Sequence, residues 1–166
     1  MVDFVSKVCG PLSGTVRVPS DKSISHRALL FASIAEGESI LHKVLMGEDN
    51  KATMTAMQSM GVTIESIDAE TLRVQGVGLF GLQQPDDPLN LGNSRTGIRL
   101  LAGLLNAQPF ESRMVGDASL MQRPMGRIVK PLRMMGARIG MSLENTPPLH
   151  ILPSDGLKGI RYEMPV

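Results

Sequence analysis

The chain repeats itself, and that repeat limits the folds open to it more than any other feature. Ser20-Asp21-Lys22-Ser23-Ile24-Ser25-His26-Arg27 can be set over Gly92-Asn93-Ser94-Arg95-Thr96-Gly97-Ile98-Arg99. Each run has small or polar residues, then an arginine, then an apolar stretch that reads as helix: Ala28-Leu29-Leu30-Phe31-Ala32 and Leu100-Leu101-Ala102-Gly103-Leu104. Strand-like segments follow at residues 38–44 and 111–115, and then acidic turns, Gly47-Glu48-Asp49 and Gly116-Asp117. A second helix in each copy ends on Met60-Gly61 or Met135-Gly136, where the glycine reads as a helix C-cap. Two short strands close each copy, over 62–67 and 71–75 in the first and over 137–142 and 149–152 in the second. Self-similarity with a period of about 70 residues marks a repeat architecture.

The expected fold class is therefore α/β (α+β), built of βαβαββ units. Residues 1–19 form an N-terminal strand segment, with its strand over 15–18. Residues 20–82 are the first unit and 88–153 the second. The turn formers Gly81-Leu82-Gln83-Gln84-Pro85-Asp86-Asp87-Pro88 separate them. Residues 157–166 read as the start of a third copy, with a strand over 160–165 that resembles Val16-Arg17-Val18-Pro19. The expected organisation is two full copies and a third that is cut short. Gly76-Val77-Gly78-Leu79-Phe80-Gly81 fits a dinucleotide-binding spacing, but the proline-rich stretch after it cannot open the helix such a site needs. It reads as a turn.

The two helix starts carry the chemistry. A helix N-terminus bears partial positive charge and favours acidic side chains. Lys22 and Arg27 oppose that preference unless an anion sits among them. Free backbone N–H groups, hydroxyls and cations converging on one point suit a phosphate or carboxylate. Lys22, Ser23 and Arg27 are thus read as an anion site; the alternative is a solvated helix start with incidental charges. At the second start, Asn93, Ser94 and Thr96 offer caps and hydroxyls, and Arg99 supplies the cation. Gly92 and Gly97 let another group approach the backbone. Arg95 is bulky for this loop, and is either an extra anion ligand or a plug. Pro124 is expected at the first position of a helix, which puts Arg123 just before it, able to fork onto a carboxylate or phosphate. Asp49 is read as the N-cap of a helix over 50–60, Pro131 as a bend within its helix, and His26 as a packing or surface residue without a chemical role.

Composition narrows the anion's source. The net charge is +1, so any anion affinity must come from local clusters. Aromatic residues make up 3% of the chain, with no tryptophan, which leaves no platform for stacking bases and disfavours a nucleic-acid partner. The single cysteine, Cys9, cannot form an internal disulfide, which suits a reducing cytoplasm. There is no apolar run long enough for a membrane span. No metal and no cofactor are expected. Met54, Met57 and Met60 fall on one helix side and read as core.

Three stretches, Asp21-Lys22-Ser23-Ile24-Ser25-His26-Arg27, Gly92-Asn93-Ser94-x-Thr96-Gly97-x-Arg99-Leu100 and Gly116-Asp117-x-Ser119-Leu120-x-x-Arg123-Pro124-Met125, together resemble the signature runs of the 5-enolpyruvylshikimate-3-phosphate synthase family, in that family's order. The resemblance covers essentially the whole chain, as the N-terminal portion of a longer enzyme. It implies an enolpyruvyl-transferase-like lobe of βαβαββ copies. The implied reaction moves the enolpyruvyl group of phosphoenolpyruvate to the 5-hydroxyl of shikimate 3-phosphate, with release of phosphate. It further implies that Lys22 touches both substrates, that Ser23 and Arg27 bind shikimate 3-phosphate, and that Arg123 binds phosphoenolpyruvate. Arg95 stands where the family usually has glycine or alanine, against the phosphoenolpyruvate site, where it would crowd that ligand or the competing inhibitor glyphosate. The family's acid–base groups lie in the C-terminal part, so the chain alone is expected to be inactive without it. A non-catalytic anion-binding module and a purely structural repeat domain stand as the other readings.

Overall fold

Alternation along the strands decides which faces meet the core. In the computed structural model, which describes residues 3–164, Leu72, Val74 and Gly76 point inward while Arg73 and Gln75 face solvent. This strand, β3 (Leu72–Val77), sits between β1 (Glu36–Leu41) and β2 (Thr63–Ser66), antiparallel to both. Leu41 stands opposite Leu72, and Ile64 opposite Val74. A second sheet has the order β4 (Leu89–Asn90), β5 (Ser112–Val115), β7 (Leu149–Leu152), β6 (Arg138–Gly140). Again the last strand lies between the two before it: Ile151 pairs with Ser112 on one side and Ile139 on the other. β4 adds in parallel outside β5. The first sheet has no counterpart to β4 among the described residues.

Helices α1 (Lys22–Ile34), α2 (Glu48–Ser59), α3 (Arg95–Leu105) and α4 (Gly126–Met134) pack against the sheets and against one another. α1 lies on β3 and β1, α2 on β2 and β4, α3 on β7 and α4 on β6. One continuous apolar core results, with Leu29, Met57, Met60, Leu72, Leu101, Met114 and Leu149 fully buried. Met57 and Met60 lie inside as their spacing predicts, and Met54 packs at the margin. After α2 and α4, Gly61 (φ 90°) and Gly136 (φ 102°) take the left-handed conformation that ends a helix. Pro131 lies inside α4, where it removes one backbone donor.

Three expectations fail, each for a local reason. Residues 15–18 form no strand. Val16 and Val18 are exposed, and no described edge pairs with them; alternation without a ladder partner does not make a strand. Residues 160–164 likewise form none, and Pro165 lies outside the described residues. This stretch instead follows a segment tied to the helices, where the Lys158 N–H donates to the Met135 carbonyl and Ser154 Oγ to the Asn106 carbonyl. Pro124 does not begin a helix. A short 3-10 turn (Leu120–Gln122) precedes it, and α4 starts two residues later at Gly126.

Two glycines test the packing in opposite directions. A side chain at Gly76 would overlap the backbone carbonyl oxygens of Ala32 and Ala35, because β3 and α1 meet there without a spacer. Gly103 lies inside α3 and faces open space. Gly76→Ala should cost at least about 1–3 kcal/mol by forcing the helix off the sheet. Gly103→Ala should gain about 0.5–1 kcal/mol from helix entropy. Urea unfolding of both variants checks this; equal stability of Gly76→Ala and the parent contradicts the packing.

Candidate functional site

The start of α1 is built by Asp21 and Ser25. Asp21 accepts a hydrogen bond from the Ile24 N–H (2.7 Å). Ser25 Oγ donates to the Asp21 carbonyl (2.9 Å) and accepts from the Leu45 N–H (3.0 Å). Of the hydroxyls in the motif, Ser25 is thus used to fix the backbone, while half-buried Ser23 has no side-chain partner among the described residues. Lys22 Nζ reaches across to Asp49 Oδ2 at 2.8 Å, with side-chain exposures of 49% and 24%. Arg27 is exposed and pairs with no described residue.

The start of α3 is built in the same manner. Ser94 is buried, and its Oγ accepts from the Gly97 N–H (3.1 Å). Gly92 adopts φ 53°, so that its N–H meets Asn90 Oδ1 (3.0 Å) while its carbonyl accepts from the Asp117 N–H (2.8 Å). A side chain at Gly116 would overlap that same Gly92 carbonyl. The Asp117 carboxylate in turn accepts from the Leu120 N–H (2.7 Å), and the Leu120 carbonyl from the Arg123 N–H (3.0 Å). This chain of bonds ties the loop bearing Arg123 to the loop bearing Asn93, Ser94, Arg95 and Thr96. Arg95 is the first residue of α3 and is exposed, as is Arg123; Arg99 is half-buried. Among the described residues none of these three arginines has a side-chain hydrogen bond or ion pair. Neither α1 nor α3 has an acid in its first turn. The α1 end is capped by the Asp21 carboxylate and the α3 end by the Ser94 hydroxyl, so what these starts offer an anion is Ser23 and the unpaired Arg27, Arg95, Arg99 and Arg123.

Asp49 is not the cap expected for α2. Gly47 is the N-cap, in extended conformation, and its carbonyl accepts from the Asn50 and Lys51 N–H groups. Asp49 lies two residues on, within the first turn of α2, and its carboxylate holds Lys22 instead of capping the helix. His26, read as a packing or surface residue, is a packing one: it is fully buried, with Nδ1 2.9 Å from Thr53 Oγ1. Lys22 and His26 are one turn apart on α1, as Asp49 and Thr53 are on α2, so the two contacts are successive rungs between the helices. The sequence signal for this was present: Lys22 and His26 stand four apart on one helix, as Asp49 and Thr53 do on the other. A hollow of about 570 Å³ on the solvent face of the second sheet, lined by Glu111, Arg113, Gly140, Ser142 and His150, shares no residue with the helix starts. Among the described residues no helix is long and apolar enough to cross a membrane, and no group of three or more His, Cys, Asp or Glu is placed to hold a metal.

Fold and site together define an α/β lobe in which α1 and α3, each with unpaired arginines near its start, both meet Thr53 of α2. The protein-family model described as EPSP synthase (3-phosphoshikimate 1-carboxyvinyltransferase) matches residues 7–166. A 3-phosphoshikimate 1-carboxyvinyltransferase of Streptococcus uberis is 52% identical over 158 residues, 95% of this chain and 37% of that protein. One from Methylococcus capsulatus is 50% identical over 165 residues, 99% of this chain and 38% of that protein. The solved EPSP synthase from Acinetobacter baumannii superposes with a TM-score of 0.88 at 49% identity, covering 92% of this chain and 35% of that one. The chain belongs to the EPSP synthase family. It spans little more than a third of the length of these relatives.

Burial lowers the pKa of His26 below the ordinary 6.5; the nearby Asp49 carboxylate opposes the shift and the Lys22 ammonium adds to it. The unfolded chain then binds a proton more readily than the folded one, so stability falls as pH drops below about 6.5. Melting temperatures followed from pH 7.5 to 5 should fall less steeply for His26→Gln than for the parent. Parallel slopes would show that His26 does not couple to folding.

Proposed function

We propose that this chain forms the substrate-binding wall of a 5-enolpyruvylshikimate-3-phosphate synthase, acting in the shikimate route to aromatic amino acids. Its units over 20–82 and 88–153 are copies of one βαβαββ plan, the first without its leading strand among the described residues. The observation that carries the reading is a pair of helix starts with no acid in the first turn, around which Arg27, Arg95, Arg99 and Arg123 have no side-chain partner among the described residues. Both proposed substrates are anions: shikimate 3-phosphate carries a phosphate and a carboxylate, and so does phosphoenolpyruvate. Ser23, Arg27 and the N-terminus of α1 bind shikimate 3-phosphate. Arg123 binds phosphoenolpyruvate from the far loop. Lys22 lies between them and touches both, its ammonium held by Asp49 until substrate charge competes for it. Asn93, Ser94, Thr96 and Arg99 support the second wall. The chain orients both anions so that the 5-hydroxyl meets the enolpyruvyl carbon, and the proton transfers belong to the C-terminal part of the protein.

Calorimetric titration of shikimate 3-phosphate tests this. The parent should bind, and Lys22→Met or Arg27→Met should each weaken binding at least tenfold, as expected for loss of a charge-assisted contact of about 1.5–3 kcal/mol. No heat with the parent sinks the reading and leaves a structural repeat domain. Binding without phosphate release, even after a C-terminal complement is added, favours a non-catalytic anion-binding module. Turnover by the chain alone at the rate of a full-length relative refutes the division of labour.

Arg95 adds a second expectation. A guanidinium at the first position of α3 intrudes where a small residue would leave the helix end open to phosphoenolpyruvate or glyphosate. With the complement present, Arg95→Gly should tighten both ligands about tenfold, or roughly 1.4 kcal/mol. Unchanged affinities in the two proteins remove the crowding idea.

A further inference from the structure

The buried polar contacts beneath the helix starts do something that the surface cations do not. Thr53 lies where α1, α2 and α3 meet, and is fully buried. Its hydroxyl is 2.9 Å from His26 Nδ1 on α1 and 3.4 Å from the Asp49 carbonyl on its own helix. With the hydroxyl donating to that carbonyl, it accepts from Nδ1–H, which leaves the lone pair on Nε2; that atom is buried with no partner among the described residues. On its other side Thr53 meets α3. A methyl group at Gly97 would lie 2.8 Å from Thr53 Oγ1 and 2.7 Å from Ser94 Oγ, closer than atoms tolerate. Gly97 also donates its N–H to the Ser94 cap. One side chain thus touches the helix that carries Lys22, the helix that carries Asp49, and the first turn of the helix that follows Asn93 and Ser94.

Energetics separate aiming from holding. The half-exposed Lys22–Asp49 pair is worth about 0–1 kcal/mol and cannot fix two helices. The buried His26–Thr53 contact one turn below is shielded from water, and the Thr53 hydroxyl is tied in turn to the Asp49 carbonyl. We propose that Thr53 is a positioning residue of the anion site: through His26 and Gly97 its hydroxyl sets the spacing of the α1 and α3 starts and the place of Lys22 against Asp49. The functional meaning of that spacing rests on the substrate-binding reading above, but the mechanical claim stands apart from it.

The test uses the whole chain, with Thr53→Val to remove the hydroxyl at constant shape and Thr53→Ser to keep it. Two readouts are taken. The first needs no substrate: acetylation of Lys22 by acetic anhydride, measured by mass spectrometry against exposed Lys130 on α4. An ammonium held by a carboxylate reacts slowly, so release from Asp49 is read as a faster rate. Thr53→Val should speed Lys22 labelling about 3- to 30-fold, the range expected for local coupling, while Thr53→Ser stays near the parent. Gly97→Ala, which drives a methyl against the same hydroxyl, should also speed it. The second readout is affinity for shikimate 3-phosphate, which should fall by a similar factor in Thr53→Val and recover in Thr53→Ser. Melting curves recorded in parallel confirm a folded protein. If Thr53→Val labels like the parent, or if Thr53→Ser behaves like Thr53→Val, the hydroxyl does not position Lys22. If the parent binds no shikimate 3-phosphate, the functional reading fails, and the labelling rates still decide the role of Thr53.

Discussion

The contact on which the rest depends is the approach of α3 to α2 at Gly97. No side chain fits there, because Thr53 and Ser94 already occupy the space a methyl would take. That closeness brings the first turn of α3 beside the rungs that join α2 to α1. Apolar burial supplies the holding force: Leu29, Met57, Ile98 and Leu101 are each wholly inside, and each contributes about 1.5–3 kcal/mol relative to exposure. The polar contacts add little to that sum. They choose which of several similar packings is adopted, since a buried hydroxyl or imidazole without a partner costs about 1–3 kcal/mol. The core holds the helices together, and the polar chain His26–Thr53 above Gly97 and Ser94 aims them.

Much of this fold is legible in the sequence, because periodicity reports which face of an element is buried. The final strand reads correctly over 149–152, and Gly61 and Gly136 mark helix ends since only glycine takes φ near 90–100° without strain. Residues 15–18 show the limit. Val16 and Val18 alternate with polar residues just as Leu72 and Val74 do, yet only the latter lie between two partner strands. Pairing is a property of two segments, and one segment's pattern cannot supply it. Asp49 shows a second limit. An acid before a helix has two uses, cap or ion-pair partner, and the choice turned on Gly47 taking the cap. His26 shows a third: whether a histidine is buried depends on what crosses over it, here Thr53.

The candidate site was legible as chemistry before it was legible as geometry. Cations at a helix start are costly in isolation, and the structure shows how selectively that cost is incurred. α2 carries Glu48 and Asp49 in its first turn, as the helix dipole prefers. α1 and α3, in the same small lobe, carry none. A chain with sixteen acids and seventeen Lys and Arg had acids to spare for those positions. Their absence from the first turns of α1, whose one acid is the Asp21 N-cap, and of α3, and their presence in the first turn of α2, is a local choice and not a consequence of overall charge. Two acids flank Lys22: Asp21 caps α1 through the Ile24 N–H, and Asp49 reaches the lysine side-on from α2. On the proposed reading, an incoming phosphate meets an unused hydroxyl at Ser23, the unpaired Arg27, and a lysine that its existing partner holds in place.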